Sequence, residues 1–496
     1  MKILLINPPQ TFYKDSEPPA GNLPLGLMYL AAVLDNAGYQ VEILDAFIAN
    51  VKPQKHKNTI TVGLPFNQIE TEIQKRKPDI IGVSGPFTSQ INNTLKICTL
   101  TKKINPNILT IVGGPHVSTT TIPKEFLEEN PAVDIIVIGE GEYTLLEIIE
   151  HLENKKPLND ILGIAHRQNN TITINNPRPF LENLDTLPYP AYHLINMEHY
   201  LNNKKIGYRS FQKRAIPMIT SRGCPFNCCF CSIHLHMGKK FRAHSAQYVL
   251  NHIQHVINKY NVKNIFFEDD NLTFDIKRFE TICDSLIEQK IKIGWETPNG
   301  VRADHLNTPL LKKMKQSGAV SIFIGIESGD QKILDKVICK NLNLTQVTEF
   351  AKNAQQLKIK TGAFYIIGFP GETKENMQHT INFALMLKQK YNTGMHLFTA
   401  TPTFGTTLYN QCKKHNYLIP NLTYDSMGSS ARQPLGHSLI HTKDFTPQDV
   451  KEIAKNALKK YKKISLINNI KNPKQTIQTI CHQPQLITKY LKNLLS

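Results

Sequence analysis

The chain has 496 residues, with 58 Lys and Arg against 40 Asp and Glu, a formal net charge of +18. At roughly 100–200 residues per domain this is two to four domains, and 41% hydrophobic with 20% charged residues excludes a disordered chain. No apolar run approaches the ~20 residues of a membrane span. Pro8 and Pro9 stop the opening apolar run short of a secretory leader, so a cytoplasmic protein is expected.

Residues 1–155 alternate short Ile- and Val-rich runs with helical patterns. The runs are Lys2–Asn7, Val41–Asp45, Asp79–Ser84, Leu109–Gly113 and Asp134–Ile138. Near-continuous apolar runs of this length read as parallel strands buried on both faces. The clearest helix is Leu25–Ala37, ended by Gly38. The pattern predicts a doubly wound, Rossmann-like (flavodoxin-like) α/β domain, whose ligand sits at the strand C-terminal ends. Those ends read Asn7-Pro8-Pro9, Ser84-Gly85-Pro86, Gly113-Gly114-Pro115-His116 and Gly139-Glu140-Gly141-Glu142. No Gly-x-Gly-x-x-Gly follows the first strand, so a dinucleotide site is not supported. Glycines at the ends let a large ligand approach the backbone.

Residues 156–215 lose the rhythm. They predict a small hairpin, Ile161–Arg167 with Thr171–Ile174 about an Asn169-Asn170 turn, and then a linker. Residues 216–410 resume it, with strands expected at Ala215–Thr220, Asn264–Glu268, Lys292–Thr297, Ser321–Ile326, Lys360–Ile367 and Met395–Thr399. Helical patterns between them include Ala246–Tyr260, Ile276–Gln289 and Leu344–Leu357. Six βα units predict a partial, TIM-like (β/α)6 barrel with its function at the strand C-terminal ends.

Residues 411–496 are basic, with 14 Lys and Arg against 4 Asp and Glu. Thr446-Pro447-Gln448-Asp449 is a helix start. Val450, Ile453, Ala457, Tyr461 and Ile464 then recur at helical spacing, predicting a mainly helical region with a lysine face.

Nine cysteines are present, and four fall between positions 224 and 231. An odd, clustered count in a chain without a leader argues for a metal site over disulfides. Cys224, Cys228 and Cys231 have the spacing Cys-x3-Cys-x2-Cys, directly after the first barrel strand. Thiolates clustered on one loop suit an iron–sulfur cluster. Three ligands leave one iron of a four-iron cube open to a small molecule's amine and carboxylate. A zinc site with Cys229 as fourth ligand is the alternative. Cys229, adjacent to Cys228, would point away from it.

With Phe230 just before the third cysteine, the segment resembles the cluster loop of the radical S-adenosylmethionine (SAM) superfamily. The resemblance implies a [4Fe-4S] cluster on Cys224, Cys228 and Cys231. It also implies SAM held near Phe230, Asp269 and Asp270 for the amino group, Glu327 for the ribose, and Ile366 and Gly368 against adenine. Residues 1–410 are similar to one subgroup, the cobalamin-binding radical SAM enzymes, through Pro24-Leu25-Gly26-Leu27-Met28-Tyr29-Leu30-Ala31-Ala32, Val112-Gly113-Gly114-Pro115-His116 and Gly139-Glu140-Gly141-Glu142. Within it the similarity points to the group of anaerobic Mg-protoporphyrin monomethyl ester cyclase and hopanoid methyltransferases. Cobalamin is then expected at Asn7, Pro8, Ser84, Gly85, Gly113, Gly114, Pro115, His116, Gly139, Glu140 and Gly141. An Asp-x-His-x-x-Gly segment for a lower cobalt ligand is missing. His116 is the nearest substitute, and a surface or backbone-bonded His is the expectation for it.

The resemblance implies functionalisation of an unactivated carbon, with methyl transfer as the first reading and a tetrapyrrole oxidative cyclase or an RNA-modifying enzyme as alternatives. It implies a small-molecule or lipid-like substrate and an electron donor such as flavodoxin or ferredoxin. The tail lysines are not interleaved with aromatics, which counts against nucleic acid. They admit peripheral contact with an anionic membrane.

Overall fold

The computed structural model describes residues 1–14, 22–48, 52–119, 123–168, 171–202, 214–420, 422–430 and 437–471. The expected Asn169-Asn170 turn and the tail beyond 471 lie outside them.

The N-terminal sheet has seven strands: β1 Lys2–Asn7, β2 Gln40–Asp45, β3 Ile80–Ser84, β4 Leu109–Gly113, β5 Ile135–Val137, β6 Ile164–Gln168 and β7 Thr171–Ile174. Their order is β7-β6-β5-β4-β3-β1-β2. The five strands β2-β1-β3-β4-β5 are parallel, in the flavodoxin-like order. The hairpin β6–β7 does not stand apart. It continues this sheet antiparallel to β5. Both faces are covered, which explains the unbroken apolar runs. Ile3 and Leu5 enter one core with Leu27 and Ile148, while Leu4 and Ile6 enter another with Ile73 and Ile97. A small antiparallel sheet of Gln10–Tyr13, Thr59–Val62 and Gln54–Lys55 was not legible in the sequence.

Helix α1 (Leu25–Asn36) is apolar on more than one side, and the structure shows why. Leu27 and Ala31 pack on the N-terminal sheet, while Leu25 and Met28 enter the core of the second domain with Ile216, Val249 and Phe267. A helix between two layers has no solvated face to make polar.

The second sheet has six strands in chain order, all parallel: β8 Ala215–Met218, β9 Asn264–Phe267, β10 Gly294–Val301, β11 Ala319–Glu327, β12 Lys360–Ile367 and β13 Gly394–Thr399. The intervening helices have local start signals. Side chains of Ser245, Asp275 and Asn343 cap Ala246–Tyr260, Ile276–Glu288 and Leu344–Gln356. Residues 183–192 join the two bodies. Tyr189 stacks on His252 at 4.4 Å, the Tyr192 hydroxyl meets His252 Nε2 at 3.0 Å, and the Ala191 N–H donates to the Met28 carbonyl of α1 at 3.0 Å.

At the C-terminal end, Thr446 and Asp449 form a reciprocal cap. The helix Pro447–Lys471 buries Val450, Ala454 and Ala457 and packs on the helix Lys374–Tyr391. Lys455, Lys459, Lys460, Lys462 and Lys463 are exposed. No helix among the described residues is long and apolar enough to cross a membrane.

Candidate active site between the sheet and the half barrel

The C-terminal ends of the two sheets face each other across a cavity of about 230 Å³. On the sheet side it is bordered by Ser84, Gly113, Gly114, Pro115, Gly139, Glu140 and Gly141, with Leu5, Leu27, Leu30 and Ile111 forming an apolar floor. On the barrel side it is bordered by Ser221, Arg222, Glu268 and Asp270.

The cysteine loop leaves β8 here. Gly223 has φ +82°, and a Cβ on it would stand 2.4 Å from the Lys240 carbonyl, so only glycine fits. The loop is then pinned by backbone bonds. Cys224 N–H donates to Gly238, Cys229 N–H to Ile338, and Leu408 N–H to Cys229. Cys224, Cys228 and Cys231 are half-buried, whereas Cys229 is buried in the barrel core. The adjacent pair therefore differs in burial. The Asn271 side-chain amide donates to Cys224 Sγ at 3.8 Å. Among the described residues no three His, Cys, Asp or Glu side chains converge on a single-ion site. Three thiols wrapped by one loop, with an amide donor to sulfur and cations near Cys228, fit a polynuclear cluster as donor set.

The acidic segment after β9 divides its labour. Asp269, expected at the SAM amino group, is buried, and its Oδ1 accepts from Thr220 N–H (3.0 Å), Thr220 Oγ1 (2.7 Å) and Ser221 Oγ (2.6 Å). Its structural job is to hold the start of the cysteine loop. Asp270 Oδ2 accepts from Gly223 N–H at 3.1 Å and borders the cavity. Burial pushes its carboxyl up to about 6.

Glu327 ends β11 at φ +72°, a strained backbone for a non-glycine residue. Its Oε1 accepts from Lys340 Nζ at 2.9 Å, and both side chains are about nine-tenths buried. A Cβ on Gly325 would stand 2.7 Å from that carboxylate oxygen. Burial disfavours the Lys340 ammonium, but Glu327 and Cys228 beside it hold its pKa above the usual lysine value. Arg302, itself buried, anchors the loop. Its guanidinium lies 3.9 Å from the Phe226 ring centroid and donates to the carbonyls of Lys340 and Asn341.

Phe230 packs on Phe369 at 5.9 Å, and Ile366 is half-buried against the barrel core. Gly368 has φ +91°, and a Cβ there would press on Val450 of the C-terminal helix at 3.3 Å. Its N–H and that of Phe369 donate to Glu372 Oε2 at 2.7 and 2.8 Å. Burial pushes the Glu372 carboxyl up to about 8.

Four residues expected at the cobalamin do not border the cavity. The Asn7 amide is committed to Asp45, which also accepts from Tyr200, and Pro8 is buried beside it. Gly85 is pressed against Gly114, whose Cβ would stand 3.0 Å from the Gly85 carbonyl. His116 is buried, not at the surface. Its Nδ1 meets Thr88 Oγ1 at 3.2 Å, its ring packs edge-on against Tyr424, and burial pushes its pKa down to about 4.

Glu140 has a role that the sequence did not show. Its Oε1 accepts from Arg222 at 2.8 Å and from Arg242 at 2.8 Å, and its Oε2 accepts from Leu181 N–H at 2.7 Å. Glu142 accepts the other arm of Arg222 at 2.6 Å. The residue two before Cys224 is thus tied to the strand-end loop of the N-terminal sheet. Arg222 and Arg242 were not singled out in the sequence, because a lone charge carries no sign of a partner 80 to 102 residues away, and the roles of Glu142, Lys340, Arg302 and Glu372 depend on burial that neighbouring residues do not show.

A flavodoxin-like sheet facing a partial barrel, with a three-thiol loop at their junction, frames one shared cavity that defines an enzyme built from two α/β halves. The chain matches the B12 binding domain family over residues 22–149 and the Radical SAM superfamily over residues 218–384. It is 32% identical over 422 residues to an uncharacterized methyltransferase of Pyrococcus horikoshii, covering 84% of each chain. It is 30% identical over 453 residues to the cytidylyl-2-hydroxyethylphosphonate methyltransferase of Streptomyces wedmorensis, covering 84% of this chain and 83% of that one. The fold is shared with TsrM of Kitasatospora setae, a radical S-adenosylmethionine methyltransferase solved with cobalamin and a [4Fe-4S] cluster, at TM-score 0.65 and 15% identity over 91% of this chain and 85% of that one. The chain belongs to the cobalamin-binding radical SAM enzymes. Its cofactors are a [4Fe-4S] cluster, SAM and cobalamin.

Proposed function

We propose that this enzyme methylates an unactivated carbon of a small molecule. The observation that carries the reading is the shared cavity, bordered by the glycine-rich sheet ends on one side and by Ser221, Arg222 and Asp270 beside the cysteine loop on the other. When bound, the cluster with SAM supplies hydrogen-atom abstraction, and cobalamin supplies the methyl group.

The chain's own residues position and enclose. Cys224, Cys228 and Cys231 would hold the cluster, with Asn271 steadying one sulfur. Lys340 offers a cation, and Asp270 and Glu327 offer anions, for the ends of an amino-acid zwitterion. Phe230, Ile366 and the 368–372 turn supply the apolar wall beside them. Ser84, Gly113, Gly114, Pro115, Gly139 and Gly141 would meet the corrinoid, and Glu140 holds the two halves in register. Domains at 1–155, 156–215, 216–410 and 411–496 are the working division, amended in that the hairpin of Ile164–Gln168 and Thr171–Ile174 belongs to the sheet of the first and only residues 183–192 of the second segment serve as brace. The exposed lysine face of the C-terminal helix, with Ile467 and Ile470 exposed at its end, supports contact with anionic lipid and a cytoplasmic site of action. Co-sedimentation with anionic but not neutral vesicles tests that part.

The central test is anaerobic turnover with SAM deuterated on its methyl group. Product carrying CD3 supports the proposal. Ring closure without CD3 would replace it with the tetrapyrrole cyclase reading. Purified protein that holds iron and sulfide but no cobalamin would sink both.

A further inference from the structure

The cysteine loop has a second, outward side. Phe226, between Cys224 and Cys228, meets Phe274 edge-on at 6.2 Å, and Phe274 meets Phe241 at 5.0 Å. Phe274 is 37% exposed, among the few large apolar side chains that the described residues leave in solvent. It is also tied to the thiols, because its N–H donates to the carbonyl of Asn271, whose amide donates to Cys224. The aromatic trio is therefore a short packed path from the surface to the loop that holds the cluster.

The rim of this patch is basic. Lys239 and Lys240 precede Phe241, Lys277 follows Phe274, and all three are exposed. The acids nearby are engaged. Asp275 caps its helix through the Arg278 N–H, Asp304 is bound by Arg302, and Glu182 pairs with Lys240. An apolar centre flanked by the exposed Lys239 and Lys277, on a chain of net charge +18, complements an acidic partner with an apolar redox edge.

We propose that Phe226, Phe241 and Phe274, with Lys239 and Lys277, form the docking surface for a reduced, acidic flavodoxin-type donor. The inference rests on the reading of Cys224, Cys228 and Cys231 as cluster ligands. In the transfer one electron leaves the flavin hydroquinone, which becomes the semiquinone, and the cluster gains it. Any flavin proton leaves to solvent, and no protein bond forms or breaks.

The test uses the full chain and an acidic bacterial flavodoxin labelled for fluorescence anisotropy, with cluster reduction followed separately by its visible bleaching. Lys277→Glu is expected to weaken flavodoxin binding about tenfold, on the scale of electrostatic steering, and Phe274→Ser about tenfold through lost apolar burial. Both are expected to slow flavodoxin-driven reduction while leaving dithionite-driven reduction unchanged. Wild-type binding should fall as salt rises from about 0.01 M to about 1 M, where screening shortens from about 30 Å to about 3 Å. Unchanged binding in Lys277→Glu, which also decides the matter should Phe274→Ser misfold, would overturn the docking surface. So would salt-independent wild-type binding, or binding of an acidic ferredoxin but not of flavodoxin. A wild-type protein that cleaves no SAM under dithionite would instead overturn the cluster reading, whatever the anisotropy shows.

Discussion

Glu140 and Arg222 meet at 2.8 Å across the junction of the two domains, and each side chain is only 8% exposed. Arg242 reaches the same carboxylate and Glu142 takes the second arm of Arg222, so two cations and two anions close one buried network. Removing one member of such a network costs about 3–5 kcal/mol, because it strands a buried charge. Arg222→Met is expected to lower the denaturation midpoint strongly. The double variant with Glu142→Gln should recover part of the loss. Chemical denaturation of the single and double variants checks this, and additive losses would refute the coupling.

The cysteines should separate cleanly. Ser at 224, 228 or 231 is expected to remove most cluster iron and sulfide and to abolish SAM cleavage. Cys229→Ser should retain both at near wild-type level, with a modest stability loss from placing a hydroxyl in the barrel core. Iron and sulfide analysis of the four variants decides it.

Lys340 is the buried cation beside Cys228 and Glu327. Lys340→Met leaves Glu327 without its partner and the site without a cation for a carboxylate. SAM affinity is expected to fall about 100-fold, about 3 kcal/mol, because the SAM carboxylate loses its buried cation. Equilibrium dialysis of SAM against the reconstituted variant measures it, and unaltered affinity would remove Lys340 from the site.

Glu372 gives a pH signature. Burial raises its folded pKa from 4.5 to about 8, so the folded state binds the proton that the unfolded state releases in between. Stability from this group is fully present below about 4.5 and is lost as pH rises toward 8, at roughly 1.4 kcal/mol per unit. Glu372→Gln keeps an oxygen for the Gly368 and Phe369 N–H groups and removes the titration. Its unfolding free energy should be flatter than wild type from pH 5 to pH 8, which denaturation at several pH values will show.

Much of the architecture was legible because it is local. Lys2–Asn7, Leu109–Gly113 and Lys360–Ile367 have the predicted bounds, since runs of five to eight residues rich in β-branched and aromatic side chains between turn residues are too short for a helix and suit a covered strand. The helix Ala246–Tyr260 does too, because Ser245 and Asn261 mark its ends chemically. The small sheet of Gln10–Tyr13, Gln54–Lys55 and Thr59–Val62 was missed, because its strands are too short and polar to carry a period. The hairpin was seen, but its place on the sheet edge was not.

The sequence by itself determined the two strand–helix halves and the cysteine spacing, because periodicity and loop spacing are properties of neighbouring residues. Only the tertiary structure decided which strand-end residues face the shared cavity. Asn7 and His116 sit at strand ends yet turn to Asp45 and Thr88, while Glu140, read as a cofactor contact, is also the anion that binds Arg222. The physical reason is that a buried polar group must find a partner wherever the fold supplies one. These partners lie 28 to 82 residues away, beyond any pattern that neighbouring positions carry.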